Sequence, residues 1–376
     1  MNTFRADLLK AVRHYVESED CRHVGNEPDT CYGNNPKHHE EDRALLRGPL
    51  PSFEEVLAKR GDILEAEIRR KSYLYGLLAD EASRSLLLAL ASFAVLGRLF
   101  VRFAYTRDDI SEHIESLHQR CLCRDEPVEV REKYHDSRFS TVGWPLLYDT
   151  SSVGLDARVY CSNVFLYSLD RENEYRYHNG DVTIDVEDDD IVFDCGAALG
   201  DTTFMFAHKA GKRGVVLAFE PNPYMALVLY DNMSMNERLA SRILVRELAL
   251  GNAPGGTVQM ALGGAASSIM GNLDWAEETQ DVALSSIDAC VAELSLPKVD
   301  MIKMDVEGAE LDALQGAVKT LVRYRPKLAI CVYHKPEDFE TIPRFIHELD
   351  LGYSFYLGHY SPTLLETVLF ARPPSR

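Results

Sequence analysis

The sequence predicts an α/β protein whose C-terminal part forms a doubly wound, mostly parallel sheet. From residue 191 to residue 349, apolar runs of strand length alternate with segments of helical periodicity, a pattern typical of parallel sheets with helices on both faces. The last two predicted strands, 353–357 and 367–371, are joined too closely for a helical crossover. We therefore expect an antiparallel pair at one edge of the sheet.

Each element of this part follows from the spacing of its apolar residues. Strands are predicted at 191–194, 215–220, 243–249, 257–262, 299–304 and 327–333, preceded by a strand-like segment at 159–184. Helices are predicted at 223–236, 308–324 and 339–349, and the segment 285–294 combines the end of a strand with a helix. A glycine loop after residue 194 leads into a further helix, so the first two strands belong to a strand–loop–helix–strand unit.

The chain divides into three predicted parts. Residues 1–50 form a polar, partly disordered segment with a short helix near 3–17, and residues 51–150 form a helical region that begins at a capping box of Ser52 and Glu55. The apolar run 86–96 is predicted to be a buried helix, because it is too short to span a bilayer. The third part, residues 151–376, carries the sheet.

A group of possible metal ligands lies in the polar segment. Cys21, His23, Cys31, His38 and His39 fall close together and could ligate zinc. Their spacing matches no established zinc-finger pattern, so the sequence does not favour a metal site there.

Charge and cysteine usage restrict the partners of the chain. Its 59 acidic and 40 basic residues give a net charge of −19, which opposes binding to nucleic acid phosphates. The N-terminus lacks the apolar core of a signal peptide, and no segment is predicted to span a membrane. The eight cysteines include no Cys-x-x-Cys pair. We expect a reduced, cytoplasmic location without a nucleic acid partner, and the sequence leaves the oligomeric state open.

The most informative motif joins the first two strands. Residues 191–203 read IVFDCGAALGDTT, and the next apolar run ends at Glu220, twenty residues past Gly200. Gly196 and Gly200 supply the loop between strand and helix, and the two oxygens of Glu220 can accept from both hydroxyls of a ribose. The unit therefore predicts an adenosine-binding half-site. If Glu220 is a strand-tip residue with no structural partner, its removal should barely change the stability of the fold.

The loop itself argues against a dinucleotide. The pyrophosphate motif needs glycines where this chain has Ala198 and Asp201, and an aspartate at the start of a helix repels phosphate. A NAD-dependent oxidoreductase is therefore disfavoured. Acids beside the loop suit a cofactor with positive charge and no phosphate, and S-adenosylmethionine fits that description. A strand–turn–helix without any ligand is the alternative.

Several blocks of the C-terminal part together resemble the FkbM-type S-adenosylmethionine-dependent methyltransferases. The blocks are 194–202 (DCGAALGDT), 219–223 (FEPNP), 249–251 (ALG), 285–288 (SSID), 302–310 (IKMDVEGAE), 325–329 (RPKLA), 353–359 (YSFYLGH) and 366–370 (ETVLF). Their order and spacing make the resemblance specific, although Ala198 stands where many members carry Asn or a bulky residue. Residues 77–81 (LLADE) are similar to a segment ahead of the domain in some relatives.

The resemblance implies the class I methyltransferase fold, a Rossmann-like seven-stranded sheet, with S-adenosylmethionine as the cofactor of residues 151–376. It places Asp194 and the backbone of 196–200 near the methionine part of the cofactor, with Glu220 on its ribose. A residue around 247–249 is expected beside the adenine. The cofactor-binding candidates are Asp194, Gly196, Gly200, Asp201, Thr202, Glu220, Asn222 and Ala249. Capping of the next helix is the alternative role of Asn222.

Catalytic candidates stand at the ends of the later strands, because ligands of open α/β sheets bind outside the carboxyl ends of the strands. His334 is predicted to be the base that takes the proton of an acceptor hydroxyl, with Asp305 as its rival. A histidine that bonds a neighbouring acid to close the sheet edge is the structural alternative. Asp305 and Glu307 could hold Mg²⁺, but two acids supply too few ligands for a dedicated site. Glu310 is expected to face solvent, and His359 is a weaker candidate on the substrate side.

The leading interpretation is an O-methyltransferase that acts on a hydroxyl of a saccharide or other small metabolite. A catalytically silent domain that binds S-adenosylmethionine or a partner protein is the alternative. Release of S-adenosylhomocysteine separates the two, because only the enzyme forms this product.

Overall fold

In the computed structural model, the described residues of the N-terminal third are mostly helical. The structure describes residues 2–18, 51–98, 100–101, 103, 107–125, 133–139, 144–262 and 278–374. The helices of this third are α1 (Asn2–Glu17), α2 (Phe53–Leu77), α3 (Glu81–Leu96) and α4 (Arg107–Cys121). Helix α2 begins at the predicted capping box, in which Ser52 and Glu55 each accept the backbone N–H of the other. The predicted disorder within 1–50 and the possible zinc ligands lie outside the described residues.

Helix α3 carries the apolar run that was predicted to be a buried helix. Leu87, Leu90 and Val95 are buried there and belong to the same core as the strands of the central sheet. Of the helices in the described ranges, none combines the length and the apolar character needed to cross a membrane.

Seven described strands form the central sheet. Across the sheet they are β13 (Ser354–His359), β14 (Thr367–Arg372), β12 (Lys327–Cys331), β11 (Met301–Met304), β5 (Ile191–Cys195), β6 (Val215–Phe219) and β7 (Ile243–Arg246). Strand β14 runs antiparallel to both of its neighbours, and the other pairs are parallel. The predicted sheet and its antiparallel edge pair are thus confirmed, and the fold is that of the class I methyltransferases.

Helices cover both faces of this sheet. The helices that follow α4 are α5 (Asn163–Tyr167), α6 (Asp201–Lys209), α7 (Pro223–Met235), α8 (Glu237–Ala240), α9 (Ile287–Glu293), α10 (Glu310–Gln315), α11 (Val318–Tyr324) and α12 (Asp338–Glu348). Phe193 and Ile302 face α1–α3 and α9–α12, whereas Val192 and Met301 face α4–α8. Successive strand residues thus supply two separate cores, as a doubly wound sheet requires.

Some elements differ from the sequence prediction. The remaining strands are β1 (Leu146–Asp149), β2 (Arg158–Cys161), β3 (Tyr177–Asn179), β4 (Val182–Ile184), β8 (Ala249–Leu250), β9 (Thr257–Ala261) and β10 (Thr279–Ser285). The predicted strand 243–249 is divided between β7 and β8, which belong to different sheets. The predicted helix 308–324 is interrupted at Gly316, where a Cβ would overlap the carbonyl oxygen of Gly251. The proposed domain boundary at residue 150 falls inside the β1–β2 hairpin.

The segment between α2 and α3 attaches the helical region to the outer strand of the sheet. Leu78 forms a parallel bridge to Phe355 of β13, and the Ala79 N–H donates to the Phe355 carbonyl oxygen over 2.8 Å. The Ser83 hydroxyl accepts from the Leu357 N–H over 3.0 Å. The helical region and the sheet are therefore joined by backbone hydrogen bonds as well as by apolar packing.

Candidate active site

The carboxyl ends of β5, β6, β11 and β12 meet where the strand order reverses. The chain proceeds from β5 to β6 in one direction across the sheet, and from β11 to β12 in the other. Ligands of open α/β sheets bind in the crevice at such a point. Asp194, Glu220, Asp305 and His334 lie in or just beyond the last residues of these strands, so the structure brings the four predicted strand-end residues to one crevice.

The loop after β5 is shaped by close packing around its two glycines. Gly196 and Gly200 have φ angles of +84° and +85°, in the left-handed region that glycine adopts without strain. A Cβ on Gly196 would overlap the carbonyl oxygen of Asp305, and one on Gly200 would overlap the side chain of Leu229. The loop therefore lies directly against the tip of β11 before α6 begins.

A buried ion pair stands behind this loop. Asp194 in β5 and Lys303 in β11 are partners in strand register, and their side chains are 0% and 2% exposed. Lys303 Nζ lies 3.1 Å from Asp194 Oδ1 and donates to the Gly196 carbonyl oxygen over 2.6 Å. Asp194 Oδ2 accepts from the hydroxyls of Thr202 and Thr203 over 2.9 and 2.6 Å. Burial alone would lower the pKa of Lys303, but the Asp194 carboxylate raises it above its ordinary value.

These contacts give Asp194 a positioning role. Both of its oxygens are engaged inside the protein, where they hold the loop and the first turn of α6 in place. Sequence reasoning missed Lys303, although a lysine inside the apolar run 299–304 signals a buried charge that needs a partner.

Glu220 is bound to the glycine loop by two backbone N–H groups. Its Oε2 accepts from the Ala198 N–H and its Oε1 from the Asn222 N–H, each over 2.7 Å. The residue is 6% exposed, and burial raises its pKa to about 7 although the two N–H groups lower it. Glu220 thus has structural partners, so the condition under which its removal would leave the stability of the fold unchanged is not met. Each carboxylate oxygen keeps a second lone pair, so both can still accept a ribose hydroxyl.

The next two candidates lie at helix starts. Asp201 is the first residue of α6, and its Oδ1 accepts from the Thr202 N–H over 2.9 Å. Burial raises the pKa of Asp201 to about 6. Asn222 caps α7, because its Oδ1 accepts from the Tyr224 N–H over 2.9 Å, which is the alternative role considered for it. A direct cofactor contact of Asn222 stays a prediction.

Ala249, expected near the adenine, lies on the far side of Glu220 from the glycine loop. The Glu220 N–H donates to the Arg246 carbonyl oxygen over 3.1 Å, and the chain reaches Ala249 three residues later. Ala249 is buried in β8. It therefore follows the strand whose end adjoins Glu220, and its contact with the adenine stays a prediction.

On the other side of the crevice, one histidine is surrounded by three carboxylates. His334 Nδ1 lies 3.0 Å from Glu310 Oε1, and His334 Nε2 lies 3.4 Å from one oxygen each of Asp305 and Glu307. The side chain of His334 is 9% exposed and that of Glu310 is 0% exposed. The expected exposure of Glu310 is thus wrong. Its carboxylate turns inward to accept the Val306 N–H over 2.9 Å and to meet the imidazole.

Opposing effects set the charge of His334. Burial lowers the pKa of His334, but Glu310 and then the carboxylates of Asp305 and Glu307 raise it to about 9. The imidazole therefore carries a proton at neutral pH. Burial also raises the pKa of Glu307 to about 7. Since both ring nitrogens face carboxylates, the geometry favours Asp305 over His334 as the group that receives a proton.

Further acids and tyrosines surround Asp305, and sequence reasoning missed them. Tyr175 donates to Asp305 Oδ2 over 3.0 Å, and Tyr333 donates to Asp305 Oδ1 over 3.3 Å. Burial and the neighbouring Glu366 carboxylate raise the pKa of Glu174 well above its ordinary value. Two features of the sequence could have indicated these neighbours of Asp305. They are Tyr333, which directly precedes His334, and Glu366, which begins the block 366–370.

His359, the weaker substrate-side candidate, is a core residue at the sheet edge. Its ring centroid lies 4.3 Å from that of Phe103, and its Nδ1 lies 2.9 Å from the Thr367 hydroxyl. Burial lowers the pKa of His359 to about 4, so its imidazole is neutral. These contacts link β13 to β14 and to the N-terminal part of the chain.

Comparison with known proteins identifies the segment that carries the loop and the acid cluster. Residues 194–355 match the family described as the methyltransferase FkbM domain, which confirms the resemblance seen in the sequence. The hexuronic acid methyltransferase AglP of Haloferax volcanii is 26% identical over 182 residues, which are 45% of this chain and 66% of that protein. The chain thus spans about two thirds of the length of this curated relative.

Two solved structures illustrate the range of similar folds. Methyltransferase FkbM of Methylobacillus flagellatus has 18% identity and a TM-score of 0.48, over 92% of this chain and 72% of that one. An S-adenosylmethionine-dependent O-methyltransferase of Thermotoga maritima has 13% identity and a TM-score of 0.30, over 51% of this chain and 63% of that one.

Proposed function

Because residues 194–355 form a methyltransferase FkbM domain, we propose that the protein transfers a methyl group from S-adenosylmethionine to a hydroxyl of a saccharide or other small metabolite. The observation that carries this proposal is the meeting of two half-sites at the tips of β5 and β11. The glycine loop with Glu220 forms one, and the cluster around Asp305 and His334 forms the other. The first suits an adenosine ligand, and the second suits the transfer of a proton.

The residues of the first half-site fit S-adenosylmethionine better than a phosphate ligand. A pyrophosphate at the start of α6 would meet the carboxylate of Asp201, which opposes its charge. In the proposed complex, Glu220 accepts from the ribose hydroxyls, the backbone of 196–200 holds the methionine part, and Ala249 lies beside the adenine. Bound there, S-adenosylmethionine supplies a methyl group activated by its sulfonium.

On the acceptor side, we assign Asp305 and His334 to the hydroxyl proton. The acceptor oxygen loses its proton as it bonds to the methyl carbon, so a base must stand within hydrogen-bond reach. Asp305 is partly exposed, and Tyr175 and Tyr333 orient its two oxygens. The His334 imidazolium stabilises the carboxylate form of its neighbours. Asp305 is thus the proposed proton acceptor, and His334 its charged partner.

A saccharide acceptor is supported by the relative AglP, which is described as a hexuronic acid methyltransferase. Sugar hydroxyls are hydrogen-bond donors that suit the carboxylates of the second half-site. To test the activity, purified protein is incubated with methyl-labelled S-adenosylmethionine and pools of host glycans and metabolites. We expect label on an acceptor oxygen and an equal amount of S-adenosylhomocysteine.

The catalytically silent alternative gives a different result in the same experiment. A silent domain would bind S-adenosylhomocysteine in a calorimetric titration but release none from S-adenosylmethionine with any acceptor pool. If neither ligand bound, the assignment of the cofactor would be wrong.

A further inference from the structure

The acid cluster at the tips of β11 and β12 also has the ligand set of a metal site. We propose that Asp305, Glu307 and His334 bind a divalent cation on the acceptor side of the crevice. One ligand atom of each residue lies within 4.8 Å of the other two. Asp305 and Glu307 alone supply too few ligands for a dedicated site, and the position of His334 supplies the third.

The imidazole is held in the orientation that a metal ligand requires. Its Nδ1 lies 3.0 Å from the carboxylate of Glu310, which is fully buried and fixed by the Val306 N–H. Histidines that bind metals almost always present their second ring N–H to a carboxylate or carbonyl, which fixes the tautomer. The contact of Nδ1 with Glu310 leaves Nε2 facing Asp305 and Glu307, and a cation bound there replaces the Nε2 proton that the imidazolium carries in the metal-free protein.

The surroundings of the Nε2 atom suit a bound cation. It is buried, it has no hydrogen-bond partner, and a carboxylate oxygen lies 3.4 Å away on each of two sides. Two ligand atoms at right angles around a small cation stand about 3.0 Å apart when each is about 2.1 Å from it. Small side-chain rotations therefore bring Nε2 and both oxygens into contact with one ion.

The chemistry of the ligands indicates which ion fits. Two carboxylates and one imidazole, without a thiolate, suit Mg²⁺ or Mn²⁺. The formal charges also favour a divalent cation. Three carboxylates, those of Asp305, Glu307 and Glu310, surround a single imidazole, and the two positive charges of the cation offset two of these carboxylates. Three protein ligands leave the remaining coordination positions to water or to an acceptor.

The role of the ion, unlike its binding, rests on the proposed function. A cation that binds the acceptor hydroxyl lowers the pKa of that hydroxyl and orients its oxygen. It also weakens the repulsion between the acid cluster and a negatively charged acceptor. The class of acceptor that benefits most is one with neighbouring oxygen ligands, such as a diol or a hydroxy acid.

Binding is tested without cofactor or acceptor, so that failure of methyl transfer does not affect the result. Metal-free protein is titrated with Mn²⁺, and the free ion is followed by electron paramagnetic resonance. We expect one saturable site and a rise in the unfolding temperature on addition of Mn²⁺. Glu307→Gln and His334→Gln should each weaken Mn²⁺ binding at least tenfold. Glu348→Gln, an exposed acid on α12, should leave it unchanged.

The proposal fails if wild-type protein binds Mn²⁺ no more tightly than Glu307→Gln, or if Glu348→Gln weakens binding as much as Glu307→Gln does. The Glu307 side chain is one third exposed, so we expect that variant to keep the unfolding temperature of metal-free wild type. That measurement separates loss of the site from loss of the fold.

Discussion

The ammonium of Lys303 lies 3.1 Å from the carboxylate of Asp194 in the neighbouring strand, and both groups are enclosed by the sheet. The same ammonium binds the Gly196 carbonyl oxygen. One buried cation thus connects β11, which leads to the catalytic candidates, with the loop proposed to hold the cofactor. This side chain therefore adds a charged contact between the two halves of the site to the backbone pairing of β5 with β11.

Lys303→Met should lower the free energy of unfolding by about 3–5 kcal/mol, because it leaves the Asp194 carboxylate buried without its cation. Urea unfolding measures the effect. The double variant Lys303→Met, Asp194→Asn removes the unpaired charge and should recover part of the loss. A loss below about 1 kcal/mol in the single variant would contradict this account of the pair.

Glu220→Ala should weaken binding of S-adenosylhomocysteine by about 1.5–3 kcal/mol, because hydrogen bonds to a charged acceptor are lost. It should also destabilise the fold by about 1–3 kcal/mol, since the N–H groups of Ala198 and Asn222 lose their acceptor. Calorimetric titration and urea unfolding measure the two effects. Unchanged affinity in the folded variant would remove Glu220 from the ribose.

Cofactor affinity should rise with pH through about 7, because burial raises the pKa of Glu220 from 4.5 to about 7 and its carboxylate is the better acceptor. The folded protein holds the extra proton between pH 4.5 and 7, so the contribution of Glu220 to stability falls as pH rises through that range. Titrations with S-adenosylhomocysteine from pH 6 to 8 test the affinity. Glu220→Gln is the control, because it removes the carboxyl of residue 220 and keeps the other groups that titrate in this range, such as Asp201 and Glu307. An identical pH dependence in both proteins would refute the prediction.

Asp305→Asn should lower turnover by about 10²–10⁴-fold while S-adenosylhomocysteine binds nearly as in wild type, because the change removes the proposed proton acceptor, which is also a proposed metal ligand, and leaves the glycine loop and Glu220 unaltered. The amide preserves the size of the side chain and can still meet Tyr175 and Tyr333. His334→Gln should have a smaller effect. A folded Asp305→Asn enzyme with wild-type turnover would return the role of base to His334 or to positioning alone.

Most of the fold follows from local patterns. Apolar runs and helical periodicity predicted the strands and helices of the sheet because each extends over a few neighbouring residues. The interruption at Gly316 was not predictable in this way, since it depends on the close approach of Gly251. The division of 243–249 likewise depends on pairing of β8 with β10 from a later part of the chain.

The residues of the site also differ in whether the local sequence could predict them. The sequence made Gly196, Glu220, Asp305 and His334 candidates because each directly follows a recognisable strand, and the structure places all four at the same end of the sheet. Glu310 was misplaced, since an acid in the first turn of a helix usually faces solvent and only the packing around His334 turns it inward. Tyr175 donates to Asp305 from a segment whose mixed, strand-like pattern does not indicate its place in the fold, so only the tertiary structure reveals this contact.

The contact between the α2–α3 segment and β13 determines which fragments of the chain keep the sheet edge covered. Ala79 and Ser83 engage backbone groups of Phe355 and Leu357 on the outermost strand of the sheet. An exposed outer strand is a template for pairing with another molecule. A fragment that starts near residue 151 would bare this strand and the apolar surface beside it. By covering β13, the helical region thus hinders aggregation through the edge of the central sheet.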